Sequence, residues 1–133
     1  ASAHHKNIRF RLKIVSADIQ TSPSAFSQVL DNLISNAIKY SDPEKSEKKI
    51  EIKVFKENDV FKIEIEDNGL GINEDILPRI FEMFFGTNHN IGSGLGLYIT
   101  MEAVQVLGGT ITASSKIKEG TIFTITLPNY HGN

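Results

Sequence analysis

Apolar residues at Phe26, Val29, Leu30, Leu33, Ile34, Ala37 and Ile38 recur at spacings of three and four. That stripe predicts an amphipathic helix ending near Tyr40, with Ser22 as its N-cap and Pro23 in its first turn. A helix with one apolar face must lay it against another element, and the flanking sequence offers strands. Ile8, Phe10, Leu12 and Ile14 alternate with polar residues before it, the period of a half-buried strand. After a charged loop from Ser41 to Lys49 that contains Asp42-Pro43, Ile50, Ile52 and Val54 and then Phe61, Ile63 and Ile65 alternate in the same way. Glu57-Asn58-Asp59 between these runs is a hairpin turn. Further on, the sequence predicts a short helix around Asp75 to Phe81 and a polar, Gly-rich loop from Gly86 to Gly94. A well-buried helix from Leu95 to Leu107 follows, stopped by Gly108-Gly109, and then strands at Thr110 to Ser115 and Thr121 to Leu127.

Strands joined by short turns pair antiparallel, and strict strand-helix alternation is absent, which excludes a doubly wound sheet. The expected fold class is therefore α/β: a two-layer sandwich whose mixed, mainly antiparallel sheet is covered on one face by helices. The 133 residues suit one domain spanning 1–133. The chain has no Cys, which excludes disulfides, thiolate metal sites and cysteine nucleophiles. A net charge of -2 gives no support to nucleic-acid binding by broad charge attraction. No apolar run approaches a membrane span.

Three stretches bear chemistry. Gln28, Asn32, Asn36 and Lys39 form a polar stripe beside the apolar one. It is either a solvated helix face or a binding face, on which Asn36 offers Mg²⁺ a carbonyl oxygen and Lys39 neutralises phosphate. Asp67-Asn68-Gly69-Leu70-Gly71 directly follows a strand. It is either an ordinary turn or a site where Asp67 accepts a hydrogen bond from an adenine amino group and Gly69 and Gly71 admit the base. Gly92-Ser-Gly-Leu-Gly-Leu97 opens a helix, where free N–H groups and the helix dipole favour an anion. It is neither a Walker A loop nor a dinucleotide fingerprint.

In this order, these pieces resemble the ATP-binding catalytic domain of two-component sensor histidine kinases, a Bergerat-type fold shared with gyrase, a heat-shock chaperone and mismatch-repair ATPases. Gln28 to Ser41 resembles the asparagine box, Asp67 to Ile72 the first glycine box and Ile80 to Phe85 the phenylalanine box. Gly92 to Ile99 resembles the second glycine box, and Gly120 to Phe123 the last glycine-containing strand. The resemblance implies an ATP and Mg²⁺ site. Asn36 resembles the metal ligand, while Asn32 and Lys39 resemble phosphate-side contacts with the catalytic roles. Tyr40 resembles the residue flanking adenine or ribose, and Asp67 the adenine-reading carboxylate beside Gly69 and Gly71. Gly92, Gly94, Leu95 and Gly96 resemble the phosphate turn, and Thr121 the hydroxyl supporting Asp67. Ile72, Leu97 and Phe123 line the base pocket or pack the core.

Asn32 stands where gyrase-like ATPases resemble one another in carrying a water-activating Glu. A carboxamide is no general base at neutral pH, so protein phosphorylation is expected over hydrolysis. The stretch from Gly86 to Ile91 holds no Lys or Arg, which leaves the phosphate charge to Lys39 and Mg²⁺ or to a basic group from a partner domain. The acceptor-His pattern of such kinases is absent; His4, His5, His89 and His131 do not match it. The resemblance thus implies an excised protein-histidine kinase domain, monomeric by itself within a homodimeric kinase and unable to autophosphorylate alone. Its partners would be the phosphoacceptor His domain of the same kinase and a response regulator, without nucleic acid. Its place would be cytoplasmic, with the full protein open to membrane anchoring. The alternatives are an anti-sigma-factor-like serine kinase and a nucleotide-binding module that has lost phosphotransfer.

Overall fold

The computed structural model describes residues 8–15, 23–83 and 96–128. Strand β1 (Ile8–Ile14) leads to helix α1 (Pro23–Lys39), which crosses to β2 (Lys48–Glu57). β3 (Val60–Asp67), a single 3-10 turn (Leu77–Arg79), α2 (Gly96–Val106), β4 (Thr110–Lys116) and β5 (Gly120–Pro128) follow. The five strands form one sheet in the order β1-β2-β3-β5-β4. Among the described residues only the β1–β2 pair is parallel; the other three are antiparallel. The mixed, mainly antiparallel α/β sandwich expected from the periodicities is the fold observed.

Register explains where the core sits. Leu12, Ile52, Ile65, Phe123 and Ala113 lie in one row across the sheet, and Ile14, Val54, Ile63, Ile125 and Ile111 in the next. Directly opposed residues share a face, so the alternating apolar sets of all five strands point to one side. There Val29, Leu33 and Ala37 of α1 and Val104 of α2 are buried against them. The hairpin joining β2 to β3 turns at Asn58, whose φ of 58 is a left-handed value that Asn tolerates.

Three expectations change. The segment from Asp75 to Phe81 is not an α-helix. Its bonds run mostly three residues back (Ile76 to Asn73, Arg79 to Ile76, Glu82 to Arg79), because Pro78 removes a donor and so short a segment scarcely propagates a helix. α2 is less buried than its apolar sequence suggested. It packs on α1 and β4, which covers Thr100 and Val104 but leaves Ile99 and Val106 exposed. β1 is an edge strand of the sheet, and Phe10, Leu12 and Ile14 are each more than half exposed. Among the described residues, no helix is long and apolar enough to cross a membrane.

Candidate functional site

The last core-facing row before the helix-side loops holds Phe10, Ile50, Asp67, Thr121 and Ser115, each opposite the next. Here the sheet changes from apolar to polar. Asp67 ends β3 and Thr121 is the second residue of β5, so both stand at the sheet's end beneath a cavity of about 270 Å³. Asn36 and Tyr40 reach it from the end of α1, Leu97 from α2, and Leu70, Gly71 and Ile72 from the loop after β3. Asn73, Ile76 and Ile117 complete the lining.

Burial raises the Asp67 carboxyl above its ordinary range. The backbone N–H groups of Gly69 and Thr121 and the nearby charge of Lys45 work against that, and Glu66 adds a little to it. The Gly69 N–H donates to Asp67 Oδ1 at 2.8 Å. A carboxylate has about four acceptor positions, so acceptor capacity remains for a donor in the cavity.

Ser115 fixes the neighbouring hydroxyl. Its Oγ accepts the Ile72 N–H at 2.7 Å and donates to the Gly120 carbonyl at 2.9 Å. Ser115 Oγ also lies 2.8 Å from Thr121 Oγ1, where either hydroxyl can donate. When the Ser115 proton stays on Gly120, Thr121 donates to Ser115 and keeps only lone pairs for the cavity. In that arrangement Asp67 and Thr121 are both acceptors, which matches an amino group and repels a carbonyl.

Glycines shape the walls. A Cβ at Gly71, whose φ is +76, would stand 2.2 Å from the Lys116 carbonyl oxygen; one at Gly120, with φ +126, would stand 1.9 Å from that of Asp67. A side chain at Gly71 would therefore meet backbone within the protein, and Gly71 also lines the cavity where the sequence suggested close approach of a base. At Gly69 the obstacle is the Tyr40 carbonyl, 2.5 Å away.

The structure brings Asn36, Tyr40, Asp67, Gly71, Ile72, Leu97 and Thr121 together around the cavity. Phe123 is 2% exposed and takes the edge of Phe81 in a T-shaped contact with centroids 6.2 Å apart, so it belongs to the core. Asn32 faces α2, where its Nδ2 donates to Thr100 Oγ1 at 3.3 Å. Lys39 is exposed, its ammonium 5.6 Å from the Tyr40 ring centroid. Gly96 is the exposed first residue of α2, with open space where a Cβ would be. Gly92, Gly94 and Leu95, and His4, His5, His89 and His131, lie outside the described residues. The sequence reading missed Ser115, whose Ser/Thr-rich strand gave no cue, and Leu70, Asn73, Ile76 and Ile117, which only the folded loops bring near Asp67.

Residues 21–131 match the model of the family described as histidine kinase-, DNA gyrase B-, and HSP90-like ATPase. The chain is similar to the sensor protein KdpD of Clostridium acetobutylicum, at 39% identity over 96% of this chain and 15% of the relative. It is also similar to the sensor histidine kinase WalK of Bacillus subtilis, at 39% identity over 83% of this chain and 19% of the relative. The chain thus spans less than a fifth of the length of these relatives. Among solved structures, the catalytic domain of histidine kinase ThkA superposes with a TM-score of 0.78 at 28% identity, covering 92% of this chain and 80% of that one. The mycobacterial sensor histidine kinase MprB shares the fold, with a TM-score of 0.79 at 23% identity over 98% of this chain and 89% of that one.

Proposed function

Because the chain belongs to the histidine kinase-, DNA gyrase B- and HSP90-like ATPase family, we propose that it binds Mg-ATP in the cavity above Asp67 and Thr121. From there it presents the γ-phosphoryl for transfer to a His on a separate dimerisation domain. The observation that carries this is the convergence of Asn36, Tyr40, Asp67 and Thr121 on one cavity of about 270 Å³, a volume suited to a purine base with the phosphates extending outward. Paired acceptors at its floor select the amino group of adenine.

Phosphoryl transfer asks a protein for positioning and charge compensation more than for covalent chemistry. The bond from the γ-phosphorus to the bridging oxygen breaks, ADP leaves, and a phosphorus–nitrogen bond forms on the acceptor imidazole. Asn36 lines the cavity and carries a carboxamide oxygen, a hard donor of the kind Mg²⁺ takes alongside phosphate oxygens. Bound there, Mg²⁺ would neutralise phosphate charge. Lys39, exposed beside the Tyr40 ring, would supply a point charge for phosphate. Asn32 is bonded to Thr100 and is no base, so it gives water no activation. That favours transfer to a protein over hydrolysis, and the sensor-kinase relatives favour histidine as the acceptor. The further partners are the acceptor domain of a homodimeric kinase and a downstream response regulator, with this domain on the cytoplasmic side where ATP is available.

Calorimetric titration with a non-hydrolysable ATP analogue, with and without Mg²⁺, tests this. Saturable binding that strengthens with Mg²⁺, followed by phosphorylation of an added acceptor-His domain, is the expected result. No binding at millimolar nucleotide would sink it.

A further inference from the structure

The charged loop between α1 and β2 is built as a strap. Asp42 Oδ1 accepts the Glu44 N–H at 2.9 Å, and the Lys45 N–H returns to the Asp42 carbonyl at 3.1 Å across Pro43. Pro after Asp presets such a turn, and it aims the Lys45 side chain at two other loops. Lys45 Nζ donates to the Asn68 carbonyl at 2.6 Å and to the Lys118 carbonyl at 2.7 Å. Those carbonyls belong to the two loops that wall the cavity, through Leu70, Gly71 and Ile72 on one side and Ile117 on the other. On the loops themselves, the Lys118 N–H donates to the Leu70 carbonyl at 2.8 Å. Without the ammonium, the Asn68 and Lys118 carbonyl dipoles both point at the space it occupies and repel.

We propose that Lys45 is a positioning residue of the nucleotide pocket: its ammonium ties the Asn68 carbonyl to the Lys118 carbonyl, and so holds the pocket's two walling loops against each other. This rests on the nucleotide-binding function proposed above. Lys45 lies outside the stretches in which the sequence carries its nucleotide-site residues. It does not line the cavity, and acts on it through the loops that do.

The experiment compares the unaltered domain with Lys45→Met and Lys45→Arg in two measurements, affinity for a non-hydrolysable ATP analogue and hydrogen exchange of the Lys118 amide. Lys45→Met should weaken the analogue about tenfold, the worth of a lost charge-assisted hydrogen bond, and should speed Lys118 exchange by a similar factor. Lys45→Arg, which keeps the charge and two donors, should restore both. If Lys45→Met binds the analogue as the unaltered domain does, or weakens it with Lys118 exchange unchanged, the inference is overturned. Should Lys45→Met not fold, Lys45→Gln is judged by the same two criteria. Failure of the unaltered domain to bind the analogue would instead defeat the proposed function, and the exchange measurement would still decide whether Lys45 ties the loops.

Discussion

Asp67 and Thr121 stand directly opposite each other across the β3–β5 ladder, and the Thr121 N–H donates to the Asp67 carboxylate. One ladder position thus bears on both the polarity of the cavity floor and the ionisation of the one carboxylate among its described lining residues. Replacing Asp67 by Asn keeps the shape but puts an N–H₂ where an acceptor is needed. Asp67→Asn should weaken ATP binding by roughly 1.5–3 kcal/mol, the worth of a hydrogen bond to a charged group. Calorimetry on the folded variant checks it, and unchanged affinity would refute the adenine contact.

The same carboxyl makes stability depend on pH. Burial raises Asp67 above its ordinary value of 3.8, so the folded state binds more protons than the unfolded state between that value and the raised one. Stability contributed by this group therefore falls as pH rises through that window, and the cost is complete above the folded-state value. Asp67→Asn has no such titration. Thermal melts of both proteins should show the variant gaining on the unaltered domain as pH rises above the ordinary Asp value of 3.8. A gap that is constant with pH would mean the carboxyl is not desolvated.

Ser115 offers a separate handle on base selectivity. Ser115→Ala leaves the Ile72 N–H and the Gly120 carbonyl without their partner, at a cost of about 1–3 kcal/mol to stability in urea unfolding. It also removes the acceptor on which the Thr121 proton rests when Thr121 is the donor, letting that hydroxyl donate into the cavity. The preference for ATP over an inosine triphosphate should then shrink. A preference that survives intact would show that Thr121 does not take part in reading the base.

These roles differ in how far the sequence exposed them. α1 was legible because its burial follows a 3.6-residue period, and β3 and β5 because Phe61, Ile63 and Ile65, and Phe123, Ile125 and Leu127, alternate into one core. Asp67 stood out in the sequence because it directly follows a strand and precedes Gly69 and Gly71, a pattern that an ordinary turn also fits, and the structure places it at the cavity. Ser115 and Lys45 were not, since their partners are set by long-range folding: Ser115 meets Ile72 across 43 residues, and Lys45 meets Lys118 across 73. Local pattern also misjudged α2, whose apolar sequence says nothing about how many sides find a neighbour. At Gly71 the sequence suggested close approach of a base, and only the folded chain shows the Lys116 carbonyl excluding a side chain there.

That contact makes Gly71→Ala a test of the pocket wall. The new Cβ would meet the Lys116 carbonyl at 2.2 Å with the backbone held at φ +76, so the loop must move or the strain must be borne. The expected cost is about 1–3 kcal/mol in thermal or urea unfolding, with nucleotide affinity reduced in the molecules that remain folded. Full stability would mean that the loop relaxes freely and is not pinned against β4.

Asn32 and Asn36 lie one helical turn apart and should respond in opposite ways. Asn36 lines the cavity, whereas Asn32 turns to α2 and donates to Thr100. Asn36→Ala should leave the fold nearly unchanged but remove most of the Mg²⁺ enhancement of ATP-analogue binding, because the hard oxygen donor is gone. Asn32→Ala should keep that enhancement and lose about 0.5–1.5 kcal/mol of stability, the ordinary worth of one interhelical hydrogen bond. Binding isotherms with and without Mg²⁺, run beside urea melts on both variants, separate the two. If Asn36→Ala retains the full Mg²⁺ enhancement, the cation is held elsewhere; if Asn32→Ala alone loses it, the Thr100 contact gives way when nucleotide binds and the two asparagines exchange roles.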